Sequence, residues 1–92
     1  MMINIPALLA CRARVPDRTL LDCLEIAEII EPWLQVGMSP SLTTAELTAH
    51  WHCDQNAASR RMRALLQHQL IDAQLRAGPG AYWTVSRVGP VA

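Results

Sequence analysis

Phenylalanine and lysine are both absent from this 92-residue chain, and three tryptophans and one tyrosine are its only aromatic residues. A core must therefore come mainly from aliphatic side chains, and every fixed positive side-chain charge is an arginine. Arginine's planar fork suits phosphate and guanine better than lysine's point charge. A GC-rich genome produces the same bias, so arginine content alone assigns no function. No apolar run approaches the ~20 residues that a membrane-spanning helix needs. Three cysteines, Cys11, Cys23 and Cys53, are odd in number and lack CxxC spacing. That pattern does not describe a secreted disulfide scaffold and points to a cytoplasmic protein.

Chemistry is also thinly represented. There is no Gly-rich phosphate loop, Ser59 has no adjacent general base, and the acids form no pair, so no enzyme activity and no cofactor are expected. His50-Trp51-His52-Cys53, with Cys11, Cys23 and His68, offers metal-ligating side chains, yet the spacing matches no standard zinc or iron–sulfur arrangement. A metal or redox sensor through these residues is a minor alternative, and no metal site is assigned. Leu8-Leu9-Ala10-Cys11 resembles a lipoprotein cleavage box, but the start is uncharged and Pro6 interrupts the short apolar run.

Net charge is zero but unevenly divided. Residues 1–42 hold three arginines against five acids; residues 43–92 hold five arginines against three acids. Three of the five, Arg60, Arg61 and Arg63, fall within four positions, and such a local concentration says more about partners than the net value does.

Ninety-two residues make one small domain, which buries only roughly 60–65% of the surface its unfolded chain exposes. After an N-terminal arm, residues 1–16, Pro16-Asp17-Arg18-Thr19 provides a helix-start signal. A helix over 17–30 follows, within a first helix region of 17–36. Its acids Asp22, Glu25, Glu28 and Glu31 recur every third position, so their stripe slides around a 3.6-residue helix and leaves apolar residues over much of the circumference. Such a helix needs burial on more than one side. The segment from Ile3 to Leu9 or a second subunit must cover it: a homodimer through this helix is the expectation, and the alternative is that residues 1–11 fold back over it in a monomer. Pro32 lacks an N–H and crowds the preceding turn, which predicts a stop or kink near Ile30.

Residues 42–86 carry the informative pattern. Ala45, Leu47, Ala49 and Trp51 supply one helix, and Ala58, Met62, Leu65, Leu66 and Gln69 follow helical steps in a second, over 54–69. Thr43 or Thr44 caps the first, Thr43 and Glu46 standing in the capping-box relation, and Asp54 caps the second across the turn His52-Cys53-Asp54. An alternating run around Leu75, then Ala77-Gly78-Pro79-Gly80, then Ala81 to Val85 reads as a hairpin over 72–86.

This stretch, LTTAELTAHWHCDQNAASRRMRALLQHQLI, resembles winged helix-turn-helix regulators of bacteria and phages, in which a Thr-x-x-Glu-Leu helix precedes a Ser-Arg helix that ends in an apolar pair. The resemblance covers about half the chain. It implies a mainly α fold with a small β-hairpin (α+β), one winged-helix domain over 1–92 with an added N-terminal helix, and a core of Leu47, Trp51, Cys53, Ala58, Met62, Leu65, Leu70 and Ile71. His52 and Gln69 stand where relatives often have Gly, which helps a chain leave a helix in a left-handed conformation.

The expected partner is double-stranded DNA. With Ala58, Met62 and Leu65 turned inward, Gln55, Asn56, Ser59, Arg60 and Arg63 fall together; Asn and Gln pair with adenine and Arg with guanine. Arg61 lies on the flank and suits a phosphate, as do Thr43 and Thr44 at the preceding helix start. In the hairpin, Arg76 reaches a minor groove or phosphate, and Arg87 is a weaker candidate. The expectation is thus a sequence-specific DNA-binding transcriptional regulator with no sensing domain of its own. The competing one is a winged-helix protein–protein interaction module or adaptor, whose working surface is the apolar first helix.

Overall fold

Two side-chain caps punctuate the centre of the computed structural model, which describes residues 4–78 and 80–90. Ile3 and Pro79, invoked above for the arm and the turn, lie outside them. The Thr43 hydroxyl accepts from the Glu46 N–H at 3.0 Å while Glu46 Oε1 accepts from the Thr43 N–H at 3.3 Å, the reciprocal capping box predicted from Thr43-x-x-Glu46. Asp54 Oδ1 accepts from the Ala57 N–H at 2.7 Å and starts the next helix. Between the caps lies α3 (Thr44–Trp51), and after the second comes α4 (Gln55–Gln67). The predicted 54–69 helix thus has Asp54 as its cap and ends two residues early.

Upstream are α1 (Ile5–Ala10), a 3-10 turn (Cys11–Ala13) and α2 (Asp17–Gln35). Short strand β1 (Ser41–Thr43) precedes α3, and β2 (Ile71–Arg76) and β3 (Tyr82–Val88) close the chain. The three strands form one antiparallel sheet in the order β1-β3-β2. The class is α+β, with four α-helices among the described residues. No helix there is long and apolar enough to cross a membrane. The radius of gyration is 12.6 Å, against the ~12 Å expected of a fully packed chain this long.

Three expectations need correction. The β-structure is larger than a hairpin, because β1 pairs with β3 through Ser41↔Thr84, Leu42↔Trp83 and Thr43↔Tyr82. Three residues are too few to show alternation, although Leu42 is fully buried. Helix α2 does not stop near Ile30 but runs through Pro32 to Gln35. Pro32 and Glu28, whose carbonyl loses its donor, are both exposed, so the gap in the hydrogen-bond ladder opens towards water. The arm contains a helix, α1, started by Asn4 Oδ1 accepting from the Ala7 N–H at 3.1 Å.

That arm folds back over α2: Leu8, Cys11 and Val15 join the core formed by Leu20, Cys23, Ile26, Ala27 and Ile30. The opposite layer supplies Leu42, Leu47 and Trp51, then Ala58, Met62 and Leu65, with Leu70, Ile71, Trp83, Val85 and Val88 from the sheet region. All the residues predicted for the core are buried except Cys53, which is half-buried. A bulge at Ser86 shifts the β2–β3 register, so that Asp72 faces Arg87 while Ala73 faces Val85.

Two residues that carry side chains are left-handed here, His52 at φ 52° and Gln69 at φ 60°. Each follows a helix end, and the Leu70 N–H returns to the Leu65 carbonyl at 2.9 Å beyond Gln69. A left-handed conformation costs a residue with a Cβ about 1–2 kcal/mol, and the greater freedom of Gly in the unfolded chain offsets part of that gain. His52→Gly and Gln69→Gly are each expected to stabilise the chain by about 0.5–1 kcal/mol. The check is a higher urea midpoint at unchanged slope; a lower one means the native side chain makes a contact worth more than the strain.

Candidate functional site

The exposed side of α4 follows from its buried one. Ala58, Met62 and Leu65 are at most 1% exposed, which turns Asn56, Arg60, Arg63 and Gln67 outward at steps of four, three and four. These four are exposed and form a straight stripe about 16 Å long at 1.5 Å per residue. Gln55 is exposed at the helix start and Ser59 is half-buried beside the stripe. Of the five predicted residues, Asn56, Arg60 and Arg63 share one face, Ser59 lies on its flank, and Gln55, seven residues before the buried Met62, stands on the side of the buried row. Gln67 belongs with the first three and was missed, although its step of four from Arg63 was the available signal.

Arg60 and Arg63 have no ion pair or hydrogen bond within the chain among the described residues, and neither has Arg76, exposed at the end of β2. No acid lies within α4, so nothing on that helix neutralises them. Other arginines are committed. Arg12 pairs with Asp17 at 3.5 Å, and Arg14 Nη2 lies 3.6 Å from the Cys11 sulfur. Arg87 donates to the carbonyls of Gly89 and Gln69, which spends it on the corner after α4.

Arg61 does not match its predicted role. Its guanidinium turns inward, 5.3 Å over the Trp51 ring and 3.9 Å from Asp22 Oδ1, and is not directed to a phosphate. Asp22 in turn is not part of a solvated acidic stripe but 2% exposed on α2. Burial pushes its carboxyl above the usual carboxylate range; the Arg61 charge pulls it down, Glu25 adds to the rise, and Arg18 pulls it down further. Thr43 is also occupied: besides capping, its hydroxyl donates to Glu46 Oε1 at 3.0 Å.

Thr44 keeps its predicted place at the start of α3. Its N–H reaches the Ala81 carbonyl at 3.4 Å, which ties the helix start to the β2–β3 connection. Thr44 and Gln55, from the starts of α3 and α4, line a cleft of about 470 Å³ with Gly78, Gly80 and Ala81. Gly78 and Gly80 have φ of 125° and 69°, conformations that side-chain-bearing residues resist, so this wall depends on glycine. The connection between the strands therefore stands beside the helix starts that flank the exposed face of α4.

The cysteines and histidines are dispersed. Cys11 and Cys23 are buried, and burial pushes the Cys23 thiol up to about 11, away from thiolate chemistry. His50 Nε2 lies 3.2 Å from Glu25 Oε2. Among the described residues, no group of three or more His, Cys, Asp or Glu is placed to hold a metal ion. Trp51 and Trp83 are core residues and Trp33 is half-buried.

A second surface is apolar. Leu8 and Leu9 of α1 face Leu20, Leu21 and Leu24 of α2 across a groove of about 220 Å³, with Arg12 and Asp17 at its rim. Leu9 and Leu21 are about half exposed there. No family model matches the chain, and no curated protein or solved structure is significantly similar to it.

Proposed function

We propose that this chain is a winged helix-turn-helix protein that binds double-stranded DNA sequence-specifically, as a small transcriptional regulator. Helix α4 enters the major groove, and the β2–β3 hairpin lies alongside as the wing. One observation carries the reading: Asn56, Arg60 and Arg63 stand together on a face of α4 that lacks acids, with both guanidinium groups unpaired among the described residues. The element order α2-β1-α3-α4-β2-β3 supports it, since a capped helix, a three-residue turn and a second helix followed by a hairpin is the order of a winged helix.

In this reading Arg60 and Arg63 read guanine, Asn56 and Gln55 read adenine, and Ser59 and Gln67 border them. Arg76, Thr44 and the backbone around Ala81 set register on phosphates. Arg61 and Thr43 are left out because their polar groups are already engaged. The apolar α1–α2 groove takes a second copy: Leu9 and Leu21 project beside the hollow they border, so one patch holds both knob and hole, as a two-fold contact requires.

Fluorescence anisotropy on DNA fragments from around the protein's own gene, across salt, tests the reading. Arg76 directed to a phosphate, with Arg60 and Arg63 held in the groove, predicts that log K falls against log salt with a slope of roughly −1 per chain or steeper, doubled for a dimer. No binding at low salt, or binding without salt dependence, removes DNA as the partner. Sedimentation of the same samples is expected to give twice the chain mass, and the Leu21→Glu variant a monomer. A wild-type monomer at every concentration removes the paired copy.

A further inference from the structure

The deepest charged group in the described residues lies on the far side of α4 from its exposed stripe. Asp22 of α2 is 2% exposed, and its Oδ1 has no hydrogen-bond partner among the described residues. Arg61 Nη1 stands 3.9 Å from that oxygen, too far for a hydrogen bond and near enough for strong Coulomb attraction. The same guanidinium covers the Trp51 ring of α3, whose buried Nε1 also lacks a hydrogen-bond partner among those residues. One side chain of α4 thus meets α2 through charge and α3 through a ring face. Aliphatic packing such as that of Leu65 and Met62 accepts more than one arrangement before stability is lost, whereas a charge and ring contact accepts few.

We propose that Asp22, Arg61 and Trp51 form a proton-sensitive seat that fixes the rotation of α4 on α2 and α3, and that protonation of Asp22 releases it. A neutral Asp22 offers Arg61 no charge, and no hydrogen bond at this distance replaces it. Arg61 retains 27% side-chain exposure, so its guanidinium reaches water once released. The other charged groups acting on Asp22 are Arg18 and Glu25 of its own helix, and Glu25 is held by His50 of α3 at 3.2 Å. Because burial raises the Asp22 carboxyl, release falls at a higher pH than protonation of an ordinary aspartate.

For DNA binding the seat matters only through the reading above, since turning α4 re-aims Asn56, Arg60 and Arg63. The test uses no DNA, so the two can fail separately. In ¹H–¹⁵N spectra of the full chain taken from about pH 8 to about pH 3.5, spanning the ordinary aspartate value of ~3.9, the Trp51 indole, the Arg61 Nε–H and the α4 amides are expected to shift together. Their shared midpoint should lie above the ~3.9 of an ordinary aspartate. In Asp22→Asn these signals should stay near the wild-type acid positions at every pH, and in His50→Gln the wild-type midpoint should persist. Wild-type signals that do not move overturn the proposal, and so does an Asp22→Asn chain that titrates as wild type does. The wild-type titration is decisive even where a variant fails to fold.

Discussion

Arg61→Met is expected to destabilise the chain by about 3 kcal/mol at about pH 8, because it strands the Asp22 carboxylate among apolar groups. Methionine keeps an aliphatic stem against Trp51 and removes only the charge that faces Asp22. Against a typical total stability of roughly 5–15 kcal/mol this is a large loss. Asp22→Asn is not its mirror image. Asparagine keeps the shape, and Arg61, partly exposed, turns to water, so stability at neutral pH is expected to hold or rise. The sign of the pH dependence follows from the raised carboxyl. A group that holds its proton more tightly in the folded state imposes no penalty below its unfolded pKa of about 3.9. The penalty grows as pH rises from there to the folded value and is constant beyond it. In Arg61→Met the folded value rises further, so the penalty extends to higher pH; adding Asp22→Asn should bring stability back to within about 1 kcal/mol of wild type. Urea titrations at about pH 5 and about pH 8 check this. Equal losses at both values would mean that Arg61 contributes packing over Trp51 and not charge.

What the sequence made legible here was local. Thr43 with Glu46, and Asp54 with the helix after it, announce themselves within three residues, and the structure holds both caps. The inward set Ala58, Met62 and Leu65 follows from a single helical period, and with it the exposed stripe. The same locality explains the failures. Asp22 and Arg61 lie 39 positions apart, so nothing near either one signalled that an apparent surface acid and an apparent surface arginine face each other. Strand β1 was invisible because three residues carry no period; its identity comes from pairing with β3. Pro32 marks a broken hydrogen bond, and whether the helix ends there depends on whether the orphaned carbonyl faces water. Thr43 was read as both a cap and a phosphate donor, although its one hydroxyl group is occupied by the first role.

The double variant Arg60→Ala with Arg63→Ala is expected to weaken DNA binding roughly a hundredfold or more, since each guanidinium that pairs with a guanine contributes about 1–3 kcal/mol. Neither has a partner among the described residues, so stability should change by less than about 0.5 kcal/mol and the loss belongs to the interface. The measurement separates base reading from charge. If the arginines touch only phosphates, the salt slope falls by roughly 2 and all sequences weaken alike; if they read guanine, the preferred site loses more than random DNA does. Arg76→Ala supplies the comparison for a contact confined to the wing: a modest uniform loss and a slope lower by about 1. A protein–protein module predicts something else, because its affinity would reside on the apolar surface of Leu9 and Leu21 and depend little on salt. A double variant that binds DNA as wild type does would therefore remove α4 as the reading element. The α1–α2 groove would then be the working surface that the residues best support.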